Sequence, residues 1–203
     1  MKKSFKQCSE QLFNIAQTQG GFFTARQAEE AGFDPHNCTY HVKVGNWERE
    51  CRGVYRLSHY PLVEHPDLII WSLWSRGRDE RPKGVYSHET ALSIYNLSDL
   101  MPLKLHMTVP SNFRRSAKIP KILVLHYDDL KPEEIRGNEE YKVTRPIKSI
   151  LDLCKNKTIE DQFLFQALSE GKAQGLITQE EIEKNRNQLM ALLPKSKQLL
   201  KTV

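Results

Sequence analysis

Metal-ligand spacings are missing from this 203-residue chain. Its four cysteines, Cys8, Cys38, Cys51 and Cys154, form no C-x-x-C pair, which argues against a structural zinc site and against a disulfide framework and leaves reduced, mostly buried thiols. The seven histidines form no H-x-x-x-H pair, so neither a metal-dependent reaction nor a cofactor is expected. Long apolar runs are missing too. No window holds 18 consecutive apolar residues, and the opening MKKSFKQCSEQLF is broken by polar groups, so neither a membrane span nor a secretory signal is expected and the cytoplasm is the expected compartment. Low-complexity tracts are absent, and 39% hydrophobic with 27% charged residues describes an ordinary folded chain. Charge of one sign is also scarce. The net +5 is spread almost evenly over residues 1–60, 61–150 and 151–203, so any affinity for an anionic partner has to come from local placement of Lys43, Arg49, Arg52 and Arg56.

What the chain does contain is a well-punctuated stretch from Thr24 to Leu57. TARQAEEAG reads as a helix with Ala25, Ala28 and Ala31 at three-residue spacing, entered through a Thr24–Gln27 capping box and left at Gly32. In DPHNCTYHVKVG, Asp34 is placed to cap, Pro35 suits the first helical position and Gly45 can end a second helix. Helical arithmetic puts Cys38, Val42 and Gly45 on one side and His36, Thr39, Tyr40 and Lys43 on or near the other, a polar surface of the kind a groove reader needs. Trp47–Cys51 and Val54–Leu57 then read as a two-stranded wing around Arg52-Gly53, with Arg52 at the tip where a cation can meet phosphate. This is the plan of a winged helix-turn-helix. The candidate DNA-binding set is Thr24, His36, Asn37, Thr39, Tyr40, Lys43, Arg49, Arg52, Gly53 and Tyr55.

The expected fold class is α+β: a winged helix-turn-helix over 1–60, a compact α/β module with a small mixed sheet over 61–155, and a C-terminal helical segment over 156–203. A first helix is expected over Ser4 to Gln19 and another over Asp67 to Arg76, with Leu68, Trp71 and the 70/74 pair buried. Ser87 is a natural N-cap for a helix to Asn96. LHMTV, ILVLHY and YKVT are strand candidates, and IKSILDLC follows Pro146 as a helix. Thr158 and Asp161 open the next helix, and Thr178 with Glu181 forms a capping box for one reaching Leu193 before Pro194.

Two patterns tempt an enzymatic reading. Ser87-His88-Glu89 sets a hydroxyl, an imidazole and a carboxylate side by side, but neighbours at a helix start point apart, so a capped helix with a packed or hydrogen-bonded His88 accounts for them. Asp128-Asp129 with Lys131 is the faint nuclease candidate, and a solvated turn accounts for it better. No catalytic residue is expected. The densest basic run, Arg114, Arg115, Lys118 and Lys121, offers a possible second contact with DNA backbone or an acidic partner. The flat charge, with Glu48 and Glu50 in the wing, keeps a protein-interaction module without DNA binding as the second reading.

The segments RGVYRL, GVYSHETALSIYNLSDL, LHMTVP and VTRPIKSILDL stand in the order found in the AbiEi family of antitoxin-regulators from type IV toxin–antitoxin systems. The chain resembles that family over roughly residues 5 to 155. The resemblance implies an N-terminal winged helix that binds double-stranded operator DNA and represses its own operon, with Arg52, Gly53, Tyr55 and the helix from Pro35 to Lys43 in the DNA-binding role. It also implies a C-terminal region that neutralises a nucleotidyltransferase-type toxin. Monomer and dimer both remain open.

Overall fold

A computed structural model of the chain describes residues 3–77, 79–137, 140–157 and 159–192. These fall into two compact units, Met1–Lys83 with Gly137–Tyr141 and Gly84–Arg136 with Lys142–Val203. The class is α+β.

In the first unit, helix α1 (Phe5–Gln17) starts on a Ser4–Gln7 capping box and buries Cys8, Leu12 and Ala16. Strand β1 (Phe22–Thr24) is wholly buried. Helix α2 (Ala25–Ala31) begins on the expected Thr24–Gln27 box and ends at Gly32, whose φ of 108° a side chain would resist. A 3-10 turn (Pro35–Asn37) then leads into helix α3 (Cys38–Lys43). Strands β2 (Trp47–Cys51) and β3 (Val54–Leu57) fall on the two runs expected.

The wing is larger than the two strands expected, because β1 joins it and the sheet order is β1-β3-β2, all antiparallel. The doublet Phe22-Phe23 explains this. In a strand, neighbours point to opposite faces. Phe23 therefore joins Tyr55 and Trp47 in a core with Cys8, Leu12, Ala28, Ala31 and Cys38, while Phe22 joins Val54 in a second cluster with Ile69 and Leu73 of helix α4 (Pro66–Trp74). Helices cover both faces of the small sheet. In α4 the buried set is Leu68, Ile69, Ser72, Leu73 and Trp74, so Ile69 and Leu73 lie deeper than Ile70 and Trp71.

The second unit is built on a mixed five-stranded sheet of order β6-β5-β4-β8-β7: β4 (Val85–Tyr86), β5 (Leu105–Val109), β6 (Leu123–Tyr127), β7 (Ile135–Gly137) and β8 (Lys142–Thr144). The β4–β5 pairing is antiparallel, whereas β4–β8 and β5–β6 are parallel. A parallel pair needs a crossover, and residues 110–122, which hold the basic run, supply it. Strands β4 and β7 are too short to show a period in sequence.

Helices α5 (His88–Ile94) and α6 (Pro146–Asn156) share one apolar core with α7 (Asp161–Ala173), α8 (Gln179–Lys184) and α9 (Arg186–Leu192). Leu92, Ile150, Leu153, Leu164, Ala167, Ile177 and Leu189 are its centre. The Thr178–Glu181 capping box is formed as expected, but the single helix foreseen to Leu193 is two, broken at Asn185. Thr158, Leu193, Pro194 and the lysine-rich end lie outside the described residues.

Candidate nucleic-acid interface

The recognition segment is held from beneath by one imidazole. His41, on the inner side of α3, stacks on Trp47 with centroids 4.4 Å apart and meets the Phe33 edge at 5.0 Å. Asn46 Nδ2 lies 3.3 Å from its Nδ1. Burial pulls the His41 pKa below the ordinary histidine range, so the ring is neutral and behaves as an aromatic core residue. Cys38, one turn earlier, accepts a hydrogen bond from the Tyr55 hydroxyl, and burial raises the pKa of both groups. With the inner side fixed by Cys38 and His41, the outer side of the segment is set.

That outer side is the polar row expected. His36, Asn37, Thr39, Tyr40 and Lys43 are all exposed, Tyr40 by 59%. Asp34 Oδ1 accepts from the His36 backbone N–H at 2.8 Å, and Pro35 opens the turn. The entry is a 3-10 turn instead of a first α-helical turn, so the α-helix is shorter than the one anticipated from Pro35 to Gly45. Val44, 49% exposed just past the helix, extends the row with an apolar side chain that the sequence reading left out.

On the wing, Gly53 sits at φ 83° with open space around it, and Arg52 is exposed beside it. The β2–β3 register pairs Arg49 with Tyr55 and Glu48 with Arg56. Pleating therefore puts Arg49 on the face of the sheet shared with Trp47 and Tyr55, beside α3, and Glu48 on the opposite face. Glu50, two residues on, falls on the same side as Glu48, where Arg56 holds both carboxylates, Nη2 at 2.5 Å from Glu48 and Nε at 3.2 Å from Glu50. Arg56 is thus committed to the two glutamates, and its single positive charge offsets one of their two negative charges.

Two of the residues chosen from sequence sit inside the module. Tyr55 is 8% exposed and stacks on Phe23 at 5.9 Å. Thr24 is also 8% exposed, its hydroxyl accepting from Gln27 N at 3.1 Å and donating to Glu80 Oε2 at 3.2 Å. Both shape the surface from beneath. The other eight, with Gly53 as the hinge of the turn, lie on the 3-10 turn, α3 and the wing.

Residues 10–58 match the AbiEi antitoxin family of transcriptional regulators. The matched stretch runs from within α1 to the end of β3, so the AbiEi match and the winged helix-turn-helix cover the same residues. No curated protein matches the chain. Among solved structures, the crystal structure of the RV2827C protein from Mycobacterium tuberculosis is similar, with a TM-score of 0.50 and 10% identity over 83% of this chain and 73% of that one. At this identity the likeness is one of fold. Among the described residues, no helix is long and apolar enough to cross a membrane.

The second unit holds the remaining candidates. Arg114 is folded back on its own loop, Nη1 donating to the carbonyls of Ser111 at 3.2 Å and Phe113 at 2.9 Å. Arg115, Lys118 and Lys121 are exposed along the crossover. Asp128 pairs with Lys148, not with Lys131. Among the described residues, no group of three or more His, Cys, Asp or Glu side chains is arranged to hold a metal ion.

The Ser87-His88-Glu89 run departs from expectation. Ser87 occupies the N-cap position of α5 without a side-chain cap bond. Its Oγ instead lies 3.0 Å from His88 Nδ1, because His88 takes a left-handed φ of 56° that turns the ring back towards its neighbour. The sequence reading missed the grouping of His88 with His106 and His126. The signal was a histidine in each of LHMTV and LVLHY, but only the β5–β6 register puts the two rings on one face.

Proposed function

We propose that this protein is a DNA-binding transcriptional repressor of the AbiEi type that acts in the cytoplasm as an antitoxin. It binds double-stranded operator DNA, represses its own operon and antagonises a nucleotidyltransferase-type toxin. One observation supports the DNA half above all: the exposed row His36, Asn37, Thr39, Tyr40 and Lys43 on a 3-10 turn and a helix pinned by Cys38 and His41, flanked by Arg49 and Arg52. Lys43, Arg49 and Arg52 supply phosphate contacts, and the uncharged members of the row supply hydrogen bonds to base edges. Glu48 and Glu50, paired with Arg56 on the face away from Arg49, are turned from the side where a phosphate backbone would approach, and Arg56 offsets part of their charge.

The test is a gel shift on DNA upstream of the gene, repeated over a range of salt. Binding steepens with each phosphate contact, so Lys43→Ala and Arg52→Ala should each flatten the logarithmic salt slope by about one. No shift at low salt, or variants that bind like the parent, would sink this reading and favour a protein-interaction module. For the toxin half, co-expression with a nucleotidyltransferase encoded beside the gene should restore growth, and unrelieved toxicity would count against it. Exposed Arg115, Lys118 and Lys121 are the first substitutions to make in that assay.

A further inference from the structure

Three of the seven histidines meet in the second unit, and the DNA-binding reading uses none of them. His88 comes from α5, His106 from β5 and His126 from β6. The His88 and His126 rings lie face to face, centroids 3.6 Å apart and planes 13° from parallel, and His106 stacks on His126 at 5.2 Å. His106 Nδ1 is 3.0 Å from His126 Nε2. That contact is a hydrogen bond only while one of the two nitrogens carries a lone pair.

The surroundings also suit neutral rings. Asn156 Nδ2 lies 3.1 Å from His88 Nε2, and Ser87 Oγ lies 3.0 Å from its Nδ1. A ring protonated on Nδ1 alone accepts from the amide and donates to the hydroxyl, while Thr108 Oγ1 donates to the same Ser87 oxygen at 2.7 Å. The charged neighbours are few. Glu89 of α5 stands 3.9 Å from His106 Nε2, and Lys104 adds positive potential at that ring. On α6, Lys148 bonds Asp152 at 2.8 Å and Asp128, at the end of β6, at 3.2 Å, while Lys155 lies 4.0 Å from Asp152. Two imidazolium rings face to face at 3.6 Å, with Lys148 nearby, would repel at close range.

We propose that His88, His106 and His126 form an acid-operated latch, which holds α5, β5, β6 and α6 together while its rings are neutral and loosens them as protons enter. Burial lowers the pKa of all three rings, His88 to about 3, with the other two rings and Lys148 adding to the effect on His88. The unfolded chain takes up its protons near the ordinary 6.5, whereas the folded unit does not. The latch's stabilisation is therefore complete above about pH 6.5 and is lost as pH falls below it. Glu89 and Asp152, whose carboxyls burial pushes up, work in the opposite sense.

Hydrogen exchange on the whole chain, corrected for intrinsic rates, tests this peptide by peptide. Between pH 7.5 and 5.5 each ring that stays neutral only in the fold raises the opening constant about tenfold, or up to about a thousandfold for three. Peptides of α5, β5 and β6 should lose protection on that scale, while those of α1, α2 and β3, with His41 alone, lose about tenfold at most. Equal losses in the two sets would overturn the latch. His126→Phe keeps a stacked ring but removes one titrating group, and should reduce the loss in β5 and β6 to about a hundredfold; an unchanged loss would overturn it too. If that variant does not fold, the ring resonances of the parent decide. Three that hold their neutral positions well below pH 6.5 support the latch, and midpoints near 6.5 refute it.

Discussion

Both units bury imidazole, but in different company. In the first, His41 lies among Trp47, Phe33, Phe5 and Tyr40, with Asn46 as a hydrogen-bond partner, and it serves as one more ring in an aromatic core. In the second, His88, His106 and His126 face one another, with hydroxyls, an amide, carboxylates and lysines around them. A solitary buried ring can be replaced by another apolar ring without loss of much besides a hydrogen bond. A group of rings is coupled, because protonating one makes it harder to protonate the next. The first arrangement serves shape, by fixing which side of α3 faces outward. The second makes stability depend on pH.

The comparison can be broken hardest at Trp47, the side chain that joins Phe23, Phe33, His41 and Tyr55. Trp47→Ala should cost about 3–5 kcal/mol in urea unfolding and abolish any gel shift, since α3 loses its floor. A loss under 1 kcal/mol would show that the aromatic core does not carry the module. Next in size is His41→Leu, expected to weaken the fold by about 1–2 kcal/mol while leaving it less sensitive to acid, because the substitution removes a titrating group with a lowered pKa. If acid sensitivity is retained in full, His41 is not the titrating group in this unit.

Thr24→Ala, which removes one half of a capping box, should cost about 1 kcal/mol by thermal melting, with binding reduced only in proportion to folding. A selective loss of DNA binding at unchanged stability would instead return Thr24 to the contact surface. The smallest and most discriminating change is Arg56→Ala. It frees Glu48 and Glu50, so affinity for DNA should fall a few-fold while the salt slope stays as in the parent, unlike Lys43→Ala. A slope reduced by about one would make Arg56 a phosphate contact after all.

Much of the local structure in both units was legible in sequence because its signals are short-range. The Thr24–Gln27 and Thr178–Glu181 boxes, the Asp34-Pro35 start and the Gly53 turn each need residues no more than three apart, and all formed. The third wing strand was not legible, since Phe22-Phe23 is too short to show alternation until β3 offers it a partner. Nor was the break at Asn185, where the helical period continues on both sides.

The candidate site divides along the same line. Helical spacing alone placed His36, Thr39, Tyr40 and Lys43 together on the outer side, because a period of 3.6 is a local property of the chain. Whether Tyr55 and Thr24 face out or in was decided by packing, as was the tie between Arg56 and the two glutamates, which depends on strand register. The histidines show the limit most clearly. His88, His106 and His126 stand 18 and 20 residues apart, and nothing local links them. They meet because β5 and β6 run parallel in a particular register and α5 turns back at a left-handed residue. The chain's own periodicities determined the elements and their caps, whereas the company each polar side chain keeps was decided only when distant strands paired.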